Sequence, residues 1–332
     1  MTRVRQPPFF PITEFPVRTD LAVEAREALA GDVPGVTTTE ERGPHVKVTR
    51  VDITSPAGAQ RMGKPQGHYV TLEATGLRQR DRDLQDEVAR VLATELARLV
   101  GSLVTGHEFT TLVVGLGNWN ATPDALGPRV VSKILVTRHV RDFMPQELRG
   151  QLRPVAAISP GVLGTTGIDT SAIVRGVIDR VRPDVVVAVD ALAARSLERM
   201  LTTIQLADTG ISPGSGVGPE RGGLDLETLG IPVVAVGVPT VVHAMTIASE
   251  TVAGLAEMLH GTPRHLGALE SMPPEEKHRL INEVLTPAVG ELMVTPKEID
   301  VYVDDLARLV AGAINVALHP GVDIDELSKY LM

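Results

Sequence analysis

The chain of 332 residues contains no cysteine and few aromatic residues, with one Trp, three Tyr and five Phe. Without cysteine it has no disulfide framework, no thiolate nucleophile and no Cys-ligated zinc or iron-sulfur site. Positive charge is also scarce, because 32 Lys and Arg stand against 41 Asp and Glu and give a formal net charge of −9. Nucleic acids and anionic membranes are bound through clustered Lys and Arg, so neither is a predicted partner.

Long hydrophobic runs are absent as well. At the N-terminus, Pro7, Pro8 and Pro11 interrupt any apolar helix, so we predict no signal peptide. The longest uncharged stretch, residues 228–249, contains two Gly and two Pro residues. It is therefore predicted to form a buried strand, a turn and the start of a helix, and not a membrane span.

Hydrophobic residues make up 43% of the chain and charged residues 22%, which is typical of a globular protein with an aliphatic core. Residues 1–20 are rich in Pro and predict an extended arm. Residues 46–51 and 68–72 alternate apolar with polar side chains and predict strands. Residues 83–100 carry an apolar stripe at helical spacing and predict a long helix.

Three short aliphatic runs follow, at residues 111–114, 185–189 and 233–236, each leading into helical spacing. Fully apolar strands separated by helices are typical of a sheet that is covered on both faces. A capping box at residues 295–298 predicts a last helix that ends near residue 318. The fold class predicted is α/β, a single domain with a mainly parallel or mixed sheet flanked by helices.

Polar residues and glycines follow each aliphatic run, at the edge where parallel sheets bind ligands. These residues are Gly115, Gly117, Asn118 and Asp124 after the first run, Asp190 after the second and His243 after the third. Asp190 is predicted to enter an Ala-rich helix, and Asp124 to lie near the start of another.

The two aspartates have two interpretations. Each could be a helix cap or a first-turn acid. If both lie at the carboxyl edge of the sheet, Asp124 and Asp190 could instead share one proton and activate water, with apolar surroundings raising the pKa of Asp190. His243 is either structural or a third ligand that completes an oxygen and nitrogen metal site with the two aspartates.

Two motifs do not carry a function. Residues 210–214 match the G-x-S-x-G pattern of a nucleophile elbow, but no aliphatic strand leads into them, so they are predicted to form a loop. Residues 214–218 lack the Gly-Lys-Ser/Thr of a phosphate loop, and the chain has no H-E-x-x-H zinc motif.

The same segments resemble the germination protease family of spore-forming bacteria, from residue 19 to the end of the last helix. The stretches that carry the resemblance are Thr-Asp-Leu-Ala-Val-Glu-Ala at 19–25, Gly-Leu-Gly-Asn at 115–118, Thr-Pro-Asp-Ala-Leu-Gly-Pro at 122–128, Asp-Ala-Leu-Ala-Ala-Arg-Ser at 190–196, Pro-Gly-Ser-Gly-Val-Gly at 213–218 and Met-Val-Thr-Pro-Lys-Glu at 293–298.

The resemblance implies a cytoplasmic endopeptidase of the forespore or spore core that degrades small acid-soluble spore proteins and needs no cofactor. It implies a fold similar to that of hydrogenase maturation proteases and assembly as a homotetramer. It further implies an aspartic-type mechanism with Asp124 and Asp190 as the catalytic residues. One aspartate would remove a proton from water, and the other, protonated, would polarise the scissile carbonyl; which does which stays open.

The family is made as a zymogen that removes its own N-terminal arm, and its processing site is similar to the Thr-Glu-Phe/Ile-Ala-Ser-Glu motif of its substrates. The resemblance therefore implies a propeptide at residues 1–20, a cut between Asp20 and Leu21, and a catalytic domain at residues 21–332. A competing motif begins at Glu14 and Phe15, but Pro16 follows where Ala is expected. Arg195, five residues after Asp190 in the same matched stretch, is expected to be adjacent to the site.

Two features depart from the family pattern. His243 stands where an acid is expected, and the stretch between residues 260 and 273 is shorter than usual. The first keeps open a metal-dependent peptidase that uses Asp124, Asp190 and His243. A third interpretation is a non-catalytic protein that binds spore proteins, with both aspartates acting as helix caps.

Overall fold

The computed structural model describes residues 19–143, 145, 151–212, 222–248, 250–251 and 292–323. Its strands are β1 (Val36–Arg42), β2 (Lys47–Ile53), β3 (Gly67–Glu73), β4 (Thr111–Gly115), β5 (Val155–Ile158), β6 (Val185–Ala194), β7 (Thr203–Ala207), β8 (Val233–His243) and β9 (Met293–Val294). Its helices are α1 (Ala22–Glu27), α2 (Pro56–Met62), α3 (Arg82–Leu103), α4 (Leu126–Val131), α5 (Leu163–Thr166), α6 (Thr170–Val181), α7 (Leu226–Leu229) and α8 (Ile299–Leu318), and residues 244–248 are also helical.

The strands form one sheet in the order β1-β2-β3-β7-β8-β6-β4-β5, and β9 pairs with β8. Strands β5, β4, β6 and β8 run parallel to one another. The other neighbours, from β1 to β7 and on to β8, are antiparallel. The predicted single α/β domain with a mixed sheet flanked by helices is confirmed.

The aliphatic runs are explained by two cores, one on each face of the sheet. In β4 and β6, alternate side chains enter different cores, because successive residues of a strand point to opposite faces. Val113 and Val187 pack with α3 and α8, whereas Leu112 and Val186 pack with α6. Both faces are therefore buried, which explains why residues 112–114 and 185–189 are all aliphatic.

Most of the predicted elements are present. The strands predicted at residues 46–51 and 68–72 are β2 and β3, and the helix predicted at residues 83–100 is α3. Asp81 caps α3 by accepting the backbone N–H of Asp83 at 2.9 Å. None of the helices in these described ranges is long and apolar enough to cross a lipid bilayer.

Two predictions near the site are wrong. Asp190 does not begin a helix, because β6 continues through it to Ala194 and pairs with β8 along that whole length. No turn separates the strand from the helix after it, since β8 runs from Val233 through Gly237 to His243 and residues 244–248 are helical. In both places pairing between two buried strands overrides local propensity, Ala-rich in one case and Gly- and Pro-containing in the other.

The predicted capping box is also wrong. The last helix begins at Ile299, and no side chain caps it. The hydroxyl of Thr295 instead donates to the carbonyl of Thr240 at 2.9 Å, which ties the segment before the helix to β8. The predicted end at Leu318 is confirmed.

Candidate active site

A cavity of about 720 Å³ opens where the parallel strands end. Strand β4 stops at Gly115, but its neighbour β6 continues for five residues beyond Val189, the residue paired with Gly115. This difference in length leaves a space beside β6 at the carboxyl edge of the sheet. The acidic and basic side chains that line it include Asp20, Lys64, Asp124 and Asp190.

Asp124 is held at the cavity by a tight turn after β4. It ends a short 3-10 helix, Thr122–Asp124, and its carboxylate accepts the backbone N–H of Asn118 at 2.7 Å. Gly117 has a φ of +113°, and a Cβ there would lie 1.9 Å from the carbonyl oxygen of Asp124. Burial raises the pKa of Asp124, and the hydrogen bond from Asn118 opposes the rise.

Gly115 serves close packing. Its backbone is not in the left-handed region, but a Cβ there would lie 2.2 Å from the carbonyl oxygen of Gly127 in α4. The absence of a side chain lets α4 approach the end of β4. The segment between them, which contains Asp124, is thereby folded back onto the sheet edge.

Asp190 lies within β6 opposite Gly237 of β8 and is only 7% exposed. Burial raises its pKa well above the ordinary value, and the negative charge of Asp124 raises it further. The backbone N–H of Ala191, which donates to its carboxylate at 2.9 Å, opposes this rise. Asp124 and Asp190 thus face one cavity and interact electrostatically.

Asp20, in the segment from Thr19 to Glu24, lines this cavity. The carboxylate of Asp20 accepts the backbone N–H of Ala193 in β6 at 3.0 Å. Its charge is also one of the influences that raise the pKa of Asp190. Leu21 is fully buried and packs with Leu192 and Val23. Asp20 and Leu21 are therefore held against the part of β6 that follows Asp190.

Glu24 ties the other end of this segment to the same strand. Its carboxylate accepts the backbone N–H of Arg195, just past the end of β6, and the hydroxyl of Thr19. Arg199 lies 3.7 Å away as an ion-pair partner. Burial raises the pKa of Glu24, while these hydrogen bonds and the charge of Arg199 oppose the rise.

Two residues that the sequence analysis did not select also contact this segment. Lys64, two residues after α2, donates to the carbonyl oxygens of Thr19 and Asp20 at 2.9 Å each. Gln205 of β7 donates to the carbonyl oxygen of Asp20 at 2.9 Å and accepts the backbone N–H of Ala22 at 2.6 Å. No motif marks either residue, and only the sheet order brings them to the site.

The remaining predicted residues have different positions. Arg195 contacts Glu24 through its backbone, as described above. His243 ends β8 opposite Met293 of β9 and is not among the residues that line the cavity. In the part of the chain that the structure describes, no three His, Asp or Glu side chains are grouped so that they could hold a metal ion. The geometry there joins the two aspartates without His243.

Comparison with known proteins first gives a class, that of the peptidases. The family model described as germination protease matches residues 17–259 and 256–331. A germination protease of Caldanaerobacter subterraneus subsp. tengcongensis is 51% identical over 320 residues, covering 95% of this chain and 98% of that protein. Germination proteases of Clostridium tetani and Bacillus subtilis are 46% and 42% identical, covering 95% and 96% of this chain and 99% and 98% of their own lengths. The chain belongs to the germination protease family.

Proposed function

We propose that this peptidase is an aspartic-type endopeptidase that first cuts its own chain between Asp20 and Leu21 and then cleaves small acid-soluble spore proteins. The observation that carries the proposal is the position of Asp20, which lines the same cavity as Asp124 and Asp190. The peptide bond that follows Asp20 thus adjoins the cavity of two interacting carboxyl groups, as a substrate of that pair would.

Asp124 and Asp190 would share one proton. Two carboxylates at one site cannot both ionise easily, and the more desolvated one keeps the proton. Asp190 is the more buried, and the charge of Asp124 raises its pKa further, whereas Asp124 is stabilised as an anion by the N–H of Asn118. Asp124 is therefore the proposed base that removes a proton from water, and Asp190 the proposed acid.

The substrate preference follows from how residues 20–24 are bound. An acidic residue at the position of Asp20 would accept the N–H of Ala193. An aliphatic residue at the next position would enter the apolar site that Leu21 fills. A second acid, four residues after the first, would accept the N–H of Arg195, as Glu24 does. This arrangement favours acid-aliphatic-Ala-x-acid, the pattern of Glu-Phe/Ile-Ala-Ser-Glu in the proposed substrates.

The family membership further supports three proposals: that residues 1–20 are a propeptide, that the enzyme acts in the cytoplasm of the forespore or spore core, and that it works as a homotetramer without a cofactor. Residues 1–18, which include the competing motif at Glu14 and Phe15, lie outside the described residues. The short stretch at residues 260–273 does so too.

The test is the intact mass and N-terminal sequence of the full chain, with a chelator present, for the wild type, Asp124→Asn and Asp190→Asn. We expect a new N-terminus at Leu21 in the wild type alone. Asp179→Asn, which changes an exposed aspartate in α6, is the matched control and should be processed normally. Full processing by both site variants would rule out the aspartate pair, and processing that requires added metal would favour a metal-dependent peptidase.

A separate assay addresses the non-catalytic interpretation. The processed wild type is mixed with a peptide that contains Thr-Glu-Ile-Ala-Ser-Glu, and the products are sequenced. Cleavage after the first Glu is expected. Intact peptide that nevertheless binds would show a binding protein and not a peptidase.

A further inference from the structure

The carbonyl oxygen of Asp20 accepts two side-chain hydrogen bonds. Lys64 Nζ and Gln205 Nε2 each donate to it from 2.9 Å. A carbonyl oxygen has two lone pairs, so both are occupied. This oxygen belongs to the Asp20–Leu21 peptide bond, the bond that the proposed function breaks.

The orientation of the Gln205 amide is determined by its second contact. Its Oε1 accepts the backbone N–H of Ala22 at 2.6 Å, so the amide nitrogen must face the opposite way, toward Asp20. Gln205 is only 7% exposed, and its backbone is fixed in β7 between Thr71 of β3 and Gly237 of β8. The donor is therefore preorganised before any reaction begins.

Lys64 is also held for this contact. It follows Gly63, the left-handed residue that ends α2, and its backbone N–H donates to the carbonyl of Ala59. Its ammonium donates to the carbonyls of Thr19 and Asp20. Burial lowers the pKa of Lys64, which is opposed by the negative charges of Asp20 and Glu24. Burying a cation costs free energy, and a purely structural contact to a peptide carbonyl does not require a charged donor.

The sheet register places Gln205 in the same row as the proposed acid. Gln205 pairs with Gly237, and Gly237 pairs with Asp190, so the three residues form one row across β7, β8 and β6. Residues paired across strands project from the same face of a sheet. Gln205 and Asp190 therefore extend from one face, and Gly237 between them contributes no side chain.

We propose that Lys64 and Gln205 form the oxyanion hole of this peptidase and are catalytic residues that stabilise the charge on the scissile carbonyl oxygen. The inference rests on the proposed function of the aspartate pair. Fixed donors aimed at the oxygen where charge develops are among the strongest contributions to acyl-transfer catalysis.

The chemical step then runs as follows. Water forms a bond from its oxygen to the Asp20 carbonyl carbon, its proton passes to the ionised aspartate, and the C=O π pair moves to the oxygen held by Lys64 and Gln205. On collapse this pair re-forms the carbonyl and the C–N bond breaks. The nitrogen of Leu21 takes the proton of the protonated aspartate, giving an amine and a carboxylic acid. With both lone pairs of the oxygen occupied, the protonated aspartate serves the leaving nitrogen.

The test measures the self-processing rate constant of the full chain in Lys64→Met and Gln205→Leu, two substitutions that remove the donor and leave an apolar side chain of similar size. We expect each to slow processing by about 100-fold or more. Lys133→Met, which removes a lysine that pairs with Asp304 and does not line the cavity, is the matched control and should process at the wild-type rate. Thermal unfolding shows whether each variant is folded.

Carbonyl vibration separates catalysis from simple support of the segment. The full Asp190→Asn chain is prepared with a ¹³C label on the carbonyl of residue 20, by ligation of a synthetic N-terminal segment, with and without Lys64→Met. Polarisation by Lys64 should lower the stretching frequency of the labelled carbonyl, so the frequency should rise in the double variant. An unchanged frequency would overturn the proposal.

The two proposals fail in different ways. If folded Lys64→Met and Gln205→Leu process within threefold of the wild type while Asp190→Asn does not process, the oxyanion hole is wrong and the aspartate pair stands. If Asp190→Asn also processes at the wild-type rate, the proposed function itself is wrong.

Discussion

Both carboxylate oxygens of Glu24 accept the backbone N–H of Arg195, at 3.2 Å and 3.0 Å. The carboxylate of Asp20 accepts the backbone N–H of Ala193, two residues earlier on the same stretch of chain. The register of β6 against β8 shifts between Leu192 and Ala193, an irregularity that changes which N–H groups this stretch directs toward its neighbours. Two acids of the N-terminal segment thus accept two backbone N–H groups, one near the end of β6 and one just past it.

Glu24→Ala should therefore slow self-processing, whereas Arg195→Ala should not. A hydrogen bond to a charged group contributes about 1.5–3 kcal/mol, so we expect a loss of about 10- to 100-fold for Glu24→Ala. The N–H of residue 195 remains in Arg195→Ala, and its rate should stay within threefold of the wild type. Quench-flow or timed mass spectrometry of the full chain gives both rates. Equal losses in the two variants would show that the Arg195 side chain, and not its backbone, is the important group.

Asp20 offers a graded test of the first subsite. Asp20→Asn keeps a side-chain oxygen that can accept the N–H of Ala193, so processing should continue at a reduced rate. Asp20→Ala removes the acceptor and should slow processing by about 10-fold or more. The N-terminal sequence of the product checks that the cut still falls before Leu21. A faster cut in Asp20→Ala than in Asp20→Asn would contradict this account.

The proton on Asp190 makes stability depend on pH. Its pKa in the folded chain lies well above the ordinary value of 3.8, so the folded state binds the proton more tightly than the unfolded state does. This contribution to the free energy of unfolding is fully present below the ordinary pKa and is lost as pH rises through the folded pKa. We expect Asp190→Asn, which is neutral at every pH, to gain stability relative to the wild type as pH increases.

Urea denaturation of both chains from pH 4 to pH 8 measures this difference. The surface carboxylates are present in both, so the difference between the two curves reports residue 190 together with its coupling to Asp124. A difference that is constant over this range would mean that Asp190 titrates as an ordinary aspartate. Activity should follow the same proton, with the processing rate falling as pH rises through the upper apparent pKa of the pair.

Gly117 is expected to be indispensable. A Cβ there would overlap the carbonyl oxygen of Asp124, and its φ of +113° is unfavourable for any other residue. Gly117→Ala should lose about 1–3 kcal/mol of stability and most of the activity. Gly106→Ala, with a φ of +89° and no atom within 4 Å of the added Cβ, is the matched control for backbone strain alone. Similar activity losses in both would show that strain, and not displacement of Asp124, is responsible.

The sequence predicts the parallel half of the sheet and the pair of aspartates for one physical reason. Buried strands need aliphatic side chains on both faces, and parallel strands end at a common edge. Asp124 and Asp190 therefore stand out as the polar residues that follow two such runs. The path of the chain at Asp190 was predicted incorrectly because the Ala-rich stretch after it has helical propensity, which the long pairing of β6 with β8 overrides.

Lys64 and Gln205 could not be found in this way. Gln205 lies in a short strand whose neighbours are β3, more than 130 residues earlier, and β8, about 30 residues later. Local pattern does not reveal which strands pair at such separations. Lys64 follows a short helix on the antiparallel side and reaches the cavity only because β3 adjoins β7. The half of the site that contacts the carbonyl oxygen depends on sheet order alone.

The connection between the bound segment and α1 determines the kinetic order of the proposed first cut. Asp20 is only two residues before Ala22, where α1 begins, and Leu21 between them is fully buried. A bond attached so closely to its own site reacts without diffusion, so the half-time of processing should not change on dilution. The same attachment makes residues 21–24 a tethered competitor for every later substrate. An outside peptide can enter only when this short segment has left, and its departure rate sets an upper limit on turnover.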